Sequence, residues 1–162
     1  MLFNRTHNIE DVNVNMKDQD VILAGWVEDL RKMGKMIFLT LRDVTGITQI
    51  ILTDELTKTV EGITRQSVVR VTGKVQDTRA RDFEYEIKAN EISILAKAVH
   101  PLPIDPIGRL ESHIDNRLNT RALDMRNQKT ASIFKIRHHV LASLRKTLSE
   151  KKFIEITTPK II

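Results

Sequence analysis

The chain has 162 residues, 41% of them hydrophobic and 29% charged, with a formal net charge of +5. That length suits one full-sized domain, or a small domain plus part of another, and the balance is that of a globular chain rather than a disordered one. No apolar run approaches the ~20 residues of a membrane-spanning helix, the opening MLFNRTHNIED lacks a signal-peptide plan, and the lack of cysteine excludes disulfides and thiolate chemistry, so a cytoplasmic protein is expected.

The positive charge is unevenly placed. Residues 109–162 hold 12 Lys/Arg against 5 Asp/Glu, or +7, whereas residues 1–108 hold 14 against 16, or −2. If the N-terminal part binds nucleic acid, it does so through a few placed contacts and aromatic surface, not a broad field.

Val21–Leu30 is rich in β-formers and runs into the turn signal Lys-Met-Gly34. Lys35–Asp43 alternates Ile37, Leu39 and Leu41 with Phe38, Thr40 and Arg42, the period-2 pattern of a half-buried strand. Thr45-Gly46 turns the chain into a third strand, Ile47–Thr53. Asp54–Gln66 reads as a helix, with Asp54 at its N-cap and Leu56, Val60 and Ile63 on one face. Ser67–Val75 and Phe83–Leu95 return to β-character. Three strands, a helix and two strands in about 100 residues is the element order of the OB-fold, a five-stranded Greek-key barrel.

Three of the four prolines lie in His100-Pro-Leu-Pro-Ile-Asp-Pro106, which reads as a stiff connector. Beyond it, Thr130–Lys152 carries Ile133, Ile136, Val140, Leu144 and Leu148 at helical spacing, with Thr130 a candidate N-cap. Phe153–Thr157 reads as a short strand stopped by Pro159. The expected organisation is a domain over residues 1–100, a proline-rich hinge over 101–108, and a helix-strand segment of a second domain over 109–162. The fold class is mainly β.

Leu39 and its alternating neighbours should fill a barrel interior, which turns Phe38 outward. Strands 2 and 3 of an OB-fold form its usual oligonucleotide face, where aromatic rings stack on bases. Two readings stay open for Phe38: a stacking ring, or one packed beneath a neighbouring helix or domain. Gln49 offers a donor and an acceptor to a base edge. Arg31, Lys32, Arg79 and Arg81 could hold phosphates, although each taken singly reads as a solvated charge. Glu86, flanked by Tyr85 and Ile87, should face outward, where it could accept from an amino group on a base. His138 and His139 are about 100° apart on their helix and cannot share a metal. No motif assembles a nucleophile, a base and an oxyanion site, so no catalytic residue and no metal ligand is assigned.

Gly25-Trp26-Val27, Phe38, Leu41-Arg42-Asp43, Gly46 and Gln49, followed by Pro101–Asp105, Asp115–Leu118, Arg121, Leu123–Arg126, Phe134–Arg137 and Phe153–Ile161, together resemble class II aminoacyl-tRNA synthetases. The likeness is nearest to the archaeal-type aspartyl enzymes and spans nearly the whole chain in order. It implies an anticodon-binding OB domain, a hinge, and the motif 1 helix and strand at the start of a catalytic domain. By the same resemblance, Phe38 stacks on an anticodon base while Arg31, Gln49 and Glu86 read anticodon edges. Val140, Leu144 and Pro159 fall at a two-fold dimer interface. Glu28 departs from the His or aromatic residue of many relatives near the first anticodon base, which leaves asparagine-type tRNA open as a partner beside aspartate-type tRNA. The resemblance implies a homodimeric aspartate–tRNA ligase that uses ATP and magnesium through an aspartyl-adenylate. Motifs 2 and 3 are absent from these residues, so the chain alone is expected to be inactive and to hold no cofactor. The alternative is a free-standing tRNA or single-strand-binding OB module without ligase activity.

Overall fold

The computed structural model of the chain describes residues 4–53 and 56–159. The chain divides into two compact units, Met1–His100 and Pro101–Ile162.

The first unit carries β1 (Asp20–Met33), β2 (Met36–Arg42), β3 (Ile47–Thr53), α1 (Leu56–Thr59), β4 (Val68–Asp77) and β5 (Tyr85–Ala96). The strands close into a barrel in the order β1-β2-β3-β5-β4. β3 and β5 run parallel, and every other neighbouring pair is antiparallel. This is the expected OB-fold. Its interior is the alternating set: Val21, Leu23 and Val27 from β1, Leu39 and Leu41 from β2, Ile50 and Leu52 from β3, with Val69, Val71, Val75 and Ile87 closing the ring. A register irregularity between Val27 and Asp29 moves the inward phase from Val27 to Leu30. The backbone crosses closely at two glycines. A Cβ at Gly25 would overlap the Arg42 carbonyl oxygen, and one at Gly73 would stand 2.8 Å from Ile87 Cγ2 and 3.0 Å from Ala89 Cα.

Among the described residues, the helix expected over Asp54–Gln66 extends only over Leu56–Thr59. Gly62 and Gln66 take φ of 73° and 68°, which ends helical propagation and turns the chain back toward β4. Leu56, Val60 and Ile63 still pack into the core cluster, so their spacing marks a buried face although most of the helix is absent. Asp54, the expected N-cap, lies outside the described residues.

Asp43 ties the segment before β1 to the β2–β3 turn. Its carboxylate accepts from Ile9 N at 2.9 Å, Thr45 N at 2.7 Å, Thr45 Oγ1 at 2.6 Å and Gly46 N at 2.9 Å. Burial by itself would raise the pKa of this group, but the bonds from Thr45, Ile9 and Gly46 outweigh it and hold the pKa below its ordinary value. Tyr85 adds a second tie, its hydroxyl donating to Ile9 O at 2.9 Å.

The second unit contains α2 (Ile114–Asn119), α3 (Arg121–Asp124) and α4 (Gln128–Glu150). Proline stiffness is supplemented by Asp105, which accepts from Ile107 N at 3.0 Å, Arg109 N at 2.7 Å and Leu110 N at 3.1 Å. Asn127, not Thr130, caps α4, accepting from the Lys129 and Thr130 amides. Thr130 is instead buried inside the helix, where its hydroxyl accepts from Arg117 Nη2 at 3.1 Å. At the other end Lys152 takes a φ of 64° while Lys152 N and Phe153 N donate to Ser149 O and Leu148 O, a Schellman closure. The strand expected over Phe153–Thr157 does not form; among the described residues that segment has no ladder partner. Lys160 and Ile161 lie outside the described residues.

Candidate nucleic-acid interface

The cross-strand register gathers the four anticodon candidates on the outer face of one sheet region. Arg31 pairs with Phe38 across β1–β2, Phe38 with Ile51 and Thr40 with Gln49 across β2–β3, and Gln49 with Glu86 across β3–β5. The interior takes the intervening residues Leu39, Leu41, Ile50 and Ile87, so these partners project from the other side of the pleat. Phe38 is half-buried and lies outside the core cluster. Ile51, its register partner, lies on the same side of the sheet but is itself buried, 9% exposed. The apolar Ile47–Leu52 run conceals Ile51 as ordinary core; only the pairing register assigns it to the outer side.

Glu86 belongs to this face, as its alternation with Ile87 requires, but it is not open to solvent. It is 6% exposed. Gln49 Nε2 donates to Glu86 Oε2 at 2.9 Å, Thr78 Oγ1 to the same oxygen at 3.0 Å, and Gln76 Nε2 to Oε1 at 2.7 Å. Gln76 and Thr78 carry no motif that sequence reading could have singled out; β4–β5 pairing brings them here.

The charges around the face differ in availability. The Arg31 side chain is 78% exposed and only loosely associated with Asp29, at 3.8 Å, so it can turn toward a phosphate. Asp29 also receives Arg65 at 2.7 Å. Arg42 is committed to Glu28 in a two-bond pair, with Arg42 Nη2 donating to Glu28 Oε1 at 2.8 Å. The Glu28 carboxylate is thereby held against the sheet rather than presented as a free charge. Lys32 and Lys35 are exposed beside the β1–β2 turn, and Arg79 and Arg81 in the β4–β5 connection. The face thus combines a ring, amides and peripheral cations, the components of single-stranded nucleic-acid binding.

In the second unit α4 exposes its apolar stripe: Val140 is 53% and Leu144 54% accessible, with Ile133, Ile136 and Leu148 also open. Pro159 is exposed. The acidic groups nearby are already engaged. Asp124 is buried and accepts from Arg117 Nε at 2.9 Å and Arg121 Nη1 at 2.7 Å, while Arg121 also lies 5.0 Å over the Phe134 ring. Among the described residues no three His, Asp or Glu side chains converge on a metal-sized site.

Residues 21–95 match the OB-fold nucleic acid binding domain of the tRNA anticodon type, and residues 113–162 match the class II (D, K and N) tRNA synthetases. The architecture is thus that of a nucleic-acid-binding OB domain joined to the start of a class II synthetase domain. Over 98% of its length the chain is 40% identical to the aspartate–tRNA(Asp/Asn) ligase of Methanococcus vannielii, and it spans 37% of that relative. It is 38% identical, over its whole length, to the corresponding ligase of Methanocaldococcus jannaschii, of which it spans 38%. The solved asparaginyl-tRNA synthetase from Pyrococcus horikoshii superimposes with a TM-score of 0.85 at 25% identity, over 98% of this chain and 38% of that one. The chain is thus similar, through both matches and these relatives, to the class II tRNA synthetases of the aspartate, lysine and asparagine group. It spans little more than a third of the curated relatives it matches.

Proposed function

We propose that these residues form the anticodon-recognising part of an aspartate–tRNA ligase that accepts aspartate-type tRNA and, as in the relatives named for both, asparagine-type tRNA. The observation that carries this reading is the register that sets Arg31 and Phe38 in one cross-strand row, and Gln49 and Glu86 in another on the same outer side of the sheet. Phe38 stacks on an unstacked anticodon base, the Gln49 amide meets a base edge, and Arg31 and the peripheral lysines hold phosphates, dividing the work between specificity and positioning. The complete ligase joins aspartate to tRNA in the cytoplasm, with ATP and magnesium supplied to residues beyond those described. Fluorescence anisotropy with an aspartate-type anticodon stem-loop, and with the same stem carrying a scrambled loop, tests the reading. Tighter binding of the cognate loop is expected; equal affinity for both overturns it.

The exposed α4 stripe supports a second element of the proposal. A row of apolar side chains that is roughly half open to water favours association, and the occupant proposed here is a second copy of the chain, with Val140, Leu144 and Pro159 at the two-fold contact.

A further inference from the structure

The row Gln49–Glu86–Gln76 runs across β3, β5 and β4 with a buried carboxylate between two amides. A carboxylate offers acceptors only, so a glutamine that bonds to it must present its nitrogen and turn its carbonyl oxygen away. Both glutamines obey this rule: Gln76 Nε2 reaches Oε1 at 2.7 Å and Gln49 Nε2 reaches Oε2 at 2.9 Å. The third donor is fixed in the same sense. Ala80 N donates to Thr78 Oγ1 at 3.0 Å, which directs the hydroxyl hydrogen to Glu86 Oε2. With three donors on a side chain 6% exposed, Glu86 has little capacity left for a base.

We infer that Glu86 is a positioning residue that sets the polarity of two amides, and that Gln76 is a second base-reading residue beside Gln49. The two fixed carbonyl oxygens select base edges that present N–H donors. An amide free to rotate by 180° would accept either a donor or an acceptor and would discriminate poorly. Leaving a polar base atom against the wrong end of a locked amide, by contrast, forfeits a hydrogen bond and strands the group. This inference rests on the anticodon-binding reading and adds to it how the face discriminates.

The test measures, on the full chain, dissociation constants for the cognate anticodon stem-loop and for a panel with each anticodon base replaced in turn. Discrimination is the ratio of substituted to cognate values. Glu86→Gln keeps the side-chain volume but offers both a donor and an acceptor, so either amide polarity can be satisfied. Its discrimination is expected to fall about 10-fold, the scale of one well-made base contact. Gln76→Ala, a half-buried rim position, is expected to lose discrimination at one loop position by a similar factor. In a Gln49→Ala/Gln76→Ala background, Glu86→Gln should change discrimination less than about 2-fold, because there is no amide left to orient. An undiminished Glu86→Gln effect in that background would mean that the carboxylate touches the base itself, and overturns the inference. So does unaltered discrimination in Gln76→Ala, a result that remains available if Glu86→Gln fails to fold. A parent chain that does not distinguish the loops overturns the anticodon reading as well, whereas a discriminating parent with indifferent variants overturns this inference alone.

Discussion

Arg31 and Phe38 stand directly opposite one another across β1 and β2, the guanidinium largely in solvent and the ring half-covered on the outside of the barrel. A cation and an aromatic face side by side suit a nucleotide, whose charge and whose base lie a few ångströms apart. The pair also separates two contributions that can be measured independently.

Phe38→Ala should weaken stem-loop binding by roughly one to two decades, because base–aromatic stacking contributes about 1–3 kcal/mol. The melting midpoint should stay near that of the parent, since the ring is not part of the core cluster. A stability loss of about 3–5 kcal/mol, the cost of truncating a buried Phe, would show the ring to be packing instead.

Arg31→Ala should weaken cognate and substituted loops alike. A phosphate contact positions the nucleic acid without reading it, so the slope of log affinity against log salt should become shallower by about 0.7. A change confined to one loop sequence would assign Arg31 to a base edge.

Asp43→Asn should destabilise the barrel by about 1–3 kcal/mol, because one acceptor becomes a donor facing backbone N–H groups. The pH dependence has a defined sign. The folded pKa lies below 3.8, so the stabilising contribution is fully present above that value and disappears as pH falls through the lower folded value. Denaturant melts from pH 7 downward should show the parent and variant curves converging in the acid range.

Gly73→Ala should cost about 1–3 kcal/mol through overpacking, since the added methyl meets Ile87 and Ala89 inside the barrel crossing. Chemical denaturation reads this directly. A neutral result would mean that β4 and β5 can separate there without penalty.

Val140→Ser with Leu144→Ser should shift the chain toward monomer in sedimentation velocity, with the barrel's melting transition unaltered. An association constant equal to the parent's would remove this stripe from the proposed two-fold contact.

The barrel was legible because its signal is local and redundant. Leu39 and Leu41 on one strand and Ile50 and Leu52 on the next repeat at period two, and each strand needs only its own side chains to declare which face is buried. The outward direction of Phe38 follows from that alternation alone. Helix edges were less legible. Asn127 and Thr130 are both competent caps three residues apart, and the choice between them depends on Arg117, which claims the Thr130 hydroxyl from another helix. Residues 54–66 have helical spacing in Leu56, Val60 and Ile63, yet the positive φ at Gly62 and Gln66 redirects the chain while preserving the same buried contacts. A strand, unlike a helix, cannot satisfy its own backbone, so the β-rich residues 153–157 remain irregular without a neighbour.

The state of Glu86 was beyond the reach of sequence. Alternation assigns its side of β5, but its burial depends on Gln49 arriving from β3 and Gln76 and Thr78 from β4 and the loop after it. The chain's own pattern of apolar and polar residues determined the barrel, its inward set and the outward ring. Only the closure of the sheet decided which polar groups share a site, because hydrogen bonds between strands distant in sequence depend on register, and register belongs to the pairing of strands rather than to any one of them.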